Sequence, residues 1–171
     1  NIETLIKAMP HILKEYKKVH LDIVGKGHLQ EKFKNLVKKL KIERNVKLFG
    51  KISNKELLEA YNACDVFCLP SLAELEGMVV LEAMACGKPI VIANSKNSAS
   101  TFFVEDNGLL FKAKDPKDLA KKLLTLLKDD ELREKMAKKS YLNSKDYDIN
   151  KSVDKLEKIY SAVKNGRKIA Q

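Results

Sequence analysis

Four short apolar runs, each closed by glycine, proline or small polar residues and each separated from the next by helical periodicity, constrain this chain more than any other feature. His20-Leu-Asp-Ile-Val24 stops at Gly25-Lys26-Gly27, and Val46-Lys-Leu-Phe49 stops at Gly50. Asp65-Val-Phe-Cys-Leu69, apolar on both faces, stops at Pro70, and Pro89-Ile-Val-Ile-Ala93 stops at Asn94. Between them, Ile2, Leu5, Ile6, Met9, Ile12, Leu13 and Tyr16 recur at helical spacing, as do Leu29, Phe33, Leu36, Val37 and Leu40. Ser53-Asn-Lys-Glu56 is a capping box opening a helix through Leu57, Leu58 and Tyr61. Met78 to Ala85 forms a compact helix closed by Gly87. Strands alternating with helices predict a parallel sheet covered on both faces, the doubly wound α/β class. Asn107-Gly108 then leads into a fifth strand at Leu109-Leu110-Phe111, and Pro116 opens an all-helical remainder at about 117–128, about 130–143 and about 149–164. That remainder is expected to pack as a C-terminal cap on the same domain.

The 171 residues, 44% of them hydrophobic, suffice for one buried core. Cys64, Cys68 and Cys86 lie in or beside apolar runs without the spacing of a disulfide framework or a zinc site, which favours a reducing, cytoplasmic setting. No apolar stretch approaches the roughly 20 residues that span a bilayer. The formal net charge of +10 raises nucleic acid and anionic membrane as partners, but only Arg44, Arg133 and Arg167 are arginines among 33 basic residues. Base readout and stacking draw on more arginine and aromatic side chains than that, and the lysines are not clustered on one face. They are expected to be solvated helix faces, with an anionic membrane surface as the alternative partner.

In open parallel sheets, ligands bind beyond the carboxyl ends of the strands. Gly25-Lys26-Gly27, Gly50-Lys51-Ile52-Ser53, the segment from Pro70 to Gly77, and Asn94 to Ser98 occupy those positions and suit the presentation of backbone N–H groups to a phosphate or a base. They carry neither the full dinucleotide fingerprint nor the Gly-Lys-Ser/Thr ending of a P-loop. Glu82 is the one polar side chain in Met78-Val-Val-Leu-Glu-Ala-Met-Ala-Cys86, a helix otherwise apolar all round and expected to be sunk between neighbours. A carboxylate there needs donors, either Lys88 and backbone amides or the hydroxyls of a bound sugar or ribose. Glu74 precedes it by eight positions in the loop feeding the helix, so both carboxylates can bracket one ligand.

The run Pro70-Ser-Leu-Ala-Glu-Leu-Glu-Gly-Met-Val-Val-Leu-Glu-Ala-Met-Ala-Cys-Gly-Lys-Pro89 resembles the signature of glycosyltransferase family 4, the group with the GT-B fold. Its mark is a glutamate, seven residues and a second glutamate in a Leu-Glu-Ala-Met setting, here Glu74 and Glu82. Val24-Gly-Lys-Gly27, Phe49-Gly50 and Asn107-Gly-Leu-Leu-Phe111 follow in the expected order. The resemblance implies a Rossmann-like donor domain in which Glu82 holds the ribose hydroxyls and Glu74 lies beside the donor sugar in the catalytic position. By the same resemblance, Leu75, Glu76, Gly77 and Met78 receive the sugar and diphosphate, Lys51 and Ile52 meet the base, and Gly25, Lys26 and Gly27 line the cleft near the phosphates.

Leu75 departs from the glycine that many members carry, a variant resembling the branch that glucosylates membrane lipids such as diacylglycerol or sterols. The arginine and lysine that clamp the diphosphate in the family stand before the helix that begins near Ile2. The chain, residues 1–171, is therefore expected to be a single donor domain truncated at its N-terminus, with the acceptor-binding domain absent and no activity alone. The implied reaction is retaining transfer of a hexose from a nucleoside diphosphate sugar, UDP-glucose or UDP-galactose for this branch, to a hydroxyl of a membrane lipid or glycan. No cofactor and no obligatory metal are expected, since His11, His20 and His28 are scattered and no Asp-x-Asp pair occurs. A nucleotide-binding module without activity, and a basic nucleic-acid-binding protein, are the competing classes.

Overall fold

The computed structural model describes residues 1–165. Helix α1 (Ile2–Glu15), strand β1 (Leu21–Val24), α2 (Gln30–Lys39), β2 (Val46–Gly50), α3 (Asn54–Ala63) and β3 (Phe67–Leu69) come first. There follow β4 (Ala73–Glu74), α4 (Met78–Ala85), β5 (Ile90–Asn94), β6 (Asn97–Ser98) and, beyond a 3-10 turn at Ala99–Phe103, β7 (Gly108–Lys112). Helices α5 (Pro116–Lys128), α6 (Asp130–Ser144) and α7 (Ile149–Lys164) complete the described residues. Every strand pairing is parallel, as the alternation of elements predicts.

The strands do not form one sheet. β1 pairs with β2, while β3, β5 and β7 form a second sheet in that order, and no hydrogen-bonded ladder joins β1 to β3. The two sheets share one apolar core instead. Leu5, Ile6, Met9 and Ile12 of α1 pack with Ile23 and Val46 of the first sheet, Val91, Ala93 and Phe111 of the second, and Leu119, Leu123 and Leu126 of α5. Each fully buried side chain of this size contributes roughly 1.5–3 kcal/mol. A smaller cluster of Val80, Met84, Ile90 and Ile92 lies on the other face, beneath α4.

Local chemistry sets the element boundaries. The Ser53 hydroxyl accepts from the Glu56 amide while the Glu56 carboxylate accepts from the Ser53 amide, the reciprocal cap expected at α3. Asp115 caps α5 with Pro116 in its first turn, and Asp129 and Asp148 cap α6 and α7. Gly87 ends α4 with a left-handed φ of 67°.

Three expectations need correction. α4 is not sunk all round: Met78 is 55% exposed and Val79 39%, and Glu82 stands on the same open face. β3 is half-buried at each of its three residues despite being apolar throughout, because it has a hydrogen-bonded neighbour on one side only. The C-terminal cap is packed only in part. α5 and α6 pack on the domain, but α7 buries no residue, and Ile149 and Tyr160 are 71% and 65% exposed.

Candidate nucleotide-sugar site

The sequence-predicted site residues fall into two groups, each beyond the carboxyl ends of parallel strands. In the first, the Gly25 amide donates to the Gly50 carbonyl at 2.8 Å, tying the exit of β1 to that of β2. Gly25 has φ 135° and Gly50 φ 73°, backbone that favours glycine, and nothing lies within 4 Å of where a Cβ of Gly25 or Gly27 would stand. Gly25, Lys26, Gly27 and Lys51 are exposed and Ile52 is half-buried. This is an open, glycine-lined ledge with two ammonium groups beside it.

The second group sits where β3 leads into α4. Ala73 and Glu74 pair in parallel with Asn97 and Ser98, a two-residue ladder that the sequence pattern does not announce. The Ser95 hydroxyl donates to the Leu72 carbonyl and binds the two loops further. Glu74 is thereby held by backbone pairing opposite Ser98 while its side chain stays half-exposed. Leu75 is 93% exposed and Glu76 is exposed, so the peptide ahead of α4 is open to a ligand. Gly77 is buried, holds φ 71° and forms the N-cap of α4 without a side-chain cap. The amides of the first turn, beginning at Met78, thus lack the side-chain acceptor that caps α3, α5, α6 and α7, and the helix dipole favours an anion there.

Glu82 follows one turn along the same helix. Its donor is neither Lys88 nor a backbone amide: the Tyr61 hydroxyl donates to Glu82 Oε2 at 2.9 Å, while Lys88 Nζ donates to the Asn62 carbonyl. Burial first, and the bond to Glu82 second, raise the Tyr61 phenol above its ordinary value, so it remains a donor across the neutral range. Glu82 itself is exposed. Tyr61 lies in the last turn of α3, the helix that starts immediately after Lys51 and Ile52, so α3 is the physical link between the two groups. No direct hydrogen bond joins them among the described residues.

Sequence reasoning missed Tyr61 and Ser100, and had Ser98 only as the end of the Asn94 to Ser98 segment. Ser98 and Ser100 are buried with hydroxyls that have no partner, and a Cβ on Gly77 would stand 2.1 Å from Ser100 Oγ. The loop containing Ser98 was visible as a segment following a strand; the contacts were not, because they depend on how the β3–α4 and β5–β7 connections meet. His28, just past the first ledge, is an exposed residue with no polar contact to either group among the described residues.

Comparison with known proteins places the chain in a family. The model of the family "Glycosyl transferases group 1" matches residues 1–143. An uncharacterized glycosyltransferase of Haemophilus influenzae is 34% identical over 151 residues, covering 88% of this chain and 42% of its own length. The catalytic domain of cholesterol-alpha-glucosyltransferase from Helicobacter pylori superposes with a TM-score of 0.78 at 31% identity, covering 86% of this chain and 91% of that one. TarM of S. aureus, solved with fondaparinux, alpha-GlcNAc-glycerol and UDP, gives a TM-score of 0.83 at 25% identity over 94% of this chain and 32% of its own. The chain spans less than half the length of the curated relatives it matches.

Proposed function

Since the chain belongs to the group 1 glycosyl transferases, with the α/β fold of the GT-B donor-binding domain, we propose that it holds a UDP-hexose for retaining transfer to a hydroxyl acceptor. The observation that carries the proposal is the presentation of Glu82: an exposed carboxylate with one oxygen engaged by Tyr61, one turn beyond an uncapped helix N-terminus. A carboxylate of this kind accepts from a vicinal diol, which is the polar handle of a ribose.

The remaining roles follow by position. Amides at the start of α4, with Leu75, Glu76, Gly77 and Met78, receive the diphosphate and sugar, so negative charge developing on the leaving group meets fixed dipoles. Glu74 faces the donor sugar and stabilises positive charge as the glycosidic bond to phosphate lengthens. Gly25, Lys26 and Gly27 line the phosphate end of the cleft, and Lys51 and Ile52 meet the base. β1 and β3, each with a hydrogen-bonded neighbour on one side only, leave edges on which a further parallel strand can pair.

A titration with UDP, GDP and ADP tests the assignment. Saturable preference for UDP, with amide shifts at Gly50 to Ser53 and Glu74 to Glu82, is expected. Equal or absent shifts at these segments with all three nucleotides at millimolar concentration would refute it. The chain by itself is expected to transfer no sugar to a lipid acceptor.

A second reading concerns the setting. No helix among the described residues is long and apolar enough to cross a membrane. Yet Ile149, Val153, Leu156, Tyr160 and Val163 leave an exposed apolar stripe along α7, beside Lys151, Lys155, Lys158 and Lys164. Such a helix suits peripheral attachment to the anionic cytoplasmic face of a membrane, close to a lipid acceptor such as a diacylglycerol or a sterol. Flotation with anionic but not zwitterionic vesicles is the expected result; equal recovery with both would dismiss it.

A further inference from the structure

We infer that Tyr61 is the positioning residue for Glu82, fixing one carboxylate oxygen so that the other is aimed at the ribose diol of the bound nucleotide. The inference rests on the donor-domain reading above and adds a residue that the glutamate signature does not contain.

An exposed glutamate normally samples several rotamers, and a ligand that needs one of them must meet the cost of ordering the side chain. Here that ordering is built in. Tyr61 is 8% exposed, its ring packs against Phe67 with centroids 5.9 Å apart, and its hydroxyl reaches out of the core to Glu82 Oε2 at 2.9 Å. The same hydroxyl lies 3.3 Å from the Val79 carbonyl, one turn earlier on α4, so it registers α3 against the helix that carries Glu82. The shorter contact to the charged acceptor takes the proton. Among the described residues no other protein donor reaches Glu82, and the nearby ammonium of Lys88 is engaged by the Asn62 carbonyl. Oε1 is thus left for a ligand, in an orientation set by a buried ring rather than by solvent.

Tyr61→Phe keeps the ring and removes only the hydroxyl. The chain and this variant are titrated with UDP and with 2′,3′-dideoxyuridine diphosphate, which lacks the diol. Tyr61→Phe is expected to weaken UDP roughly two- to tenfold, the cost of ordering one freed side chain on binding. The dideoxy ligand should bind both proteins alike, and in a Glu82→Gln background the Tyr61→Phe change should weaken UDP by less than about twofold. Unchanged UDP affinity in Tyr61→Phe overturns the inference, as does equal weakening of both ligands, which signals a general packing role. If the unaltered chain shows no preference for UDP over its dideoxy analogue, the failure lies with Glu82 as the ribose ligand, and both readings fall together.

Discussion

Gly77→Ala tests whether the peptide ahead of α4 is held by the close approach of two loops. The first contribution is conformational: φ is 71°, and an L-residue with a Cβ in the left-handed region costs about 1–2 kcal/mol. The second is steric. The new Cβ would stand 2.1 Å from Ser100 Oγ, 3.2 Å from Ser100 Cβ and 3.4 Å from Glu74 Cγ, and Ser100 is fully buried, so its hydroxyl has little room to yield. Overpacking of this kind costs about 1–3 kcal/mol, giving a combined loss of about 2–5 kcal/mol. Urea unfolding, with midpoints compared at equal slope, reads the loss directly. Adding Ser100→Gly removes both serine contacts but not the φ, so the double variant should recover to within about 1–2 kcal/mol of Ser100→Gly alone. A Gly77→Ala midpoint within about 0.5 kcal/mol of the unaltered chain, or no recovery on adding Ser100→Gly, would refute the reasoning. Gly108→Ala supplies a contrast, since its Cβ would meet the Ile90 carbonyl oxygen at 2.2 Å and no side-chain change can relieve a backbone contact.

Glu82→Ala should weaken UDP by on the order of 10- to 100-fold in calorimetry, while the urea midpoint moves by less than about 1 kcal/mol, because the carboxylate is exposed and Tyr61 keeps the Val79 carbonyl within reach. Truncation after Asp148 removes α7, which buries no side chain, and should leave the thermal midpoint nearly unchanged; a fall equivalent to more than about 1 kcal/mol would show that α7 is docked. Burial pushes the Cys68 thiol from 9.0 up to about 12. Its neutral form is favoured by the fold, so that contribution is whole below pH 9 and is lost as pH rises from there toward 12. Urea midpoints between pH 7 and 10.5 should decline less steeply for Cys68→Ala than for the unaltered chain, and parallel declines would contradict the assignment.

Much of the fold was legible because its signals are local. Periodicity, glycine stops, the Ser53 and Glu56 cap and Pro116 each act within a few residues, and each marks an element where it was expected. The same locality explains the errors. α4 reads as buried all round because Met78 and Val79 are apolar, but the side a helix shows to solvent is decided by its neighbours, and these leave Met78 and Val79 exposed. Likewise the stripe on α7 has the period of a packed helix although none of its described residues is buried. Glu74 and Glu82 were legible by spacing within one segment. Tyr61 was not, for it stands 21 residues earlier on another helix and in the sequence looks like one more apolar position of α3.

That separation in sequence explains how a site split between two sheets can act as one. Without a ladder between β1 and β3, the proposed base end at Lys51 and Ile52 has no strand connecting it to the proposed ribose end at Glu82. α3 makes the connection instead. Its first turn is locked by the Ser53 and Glu56 cap directly after Ile52, and its last turn carries Tyr61 to Glu82 and Val79. Loosening either end of α3 should therefore disturb recognition of base and ribose together, whereas changes at Gly77 should act on the diphosphate end alone.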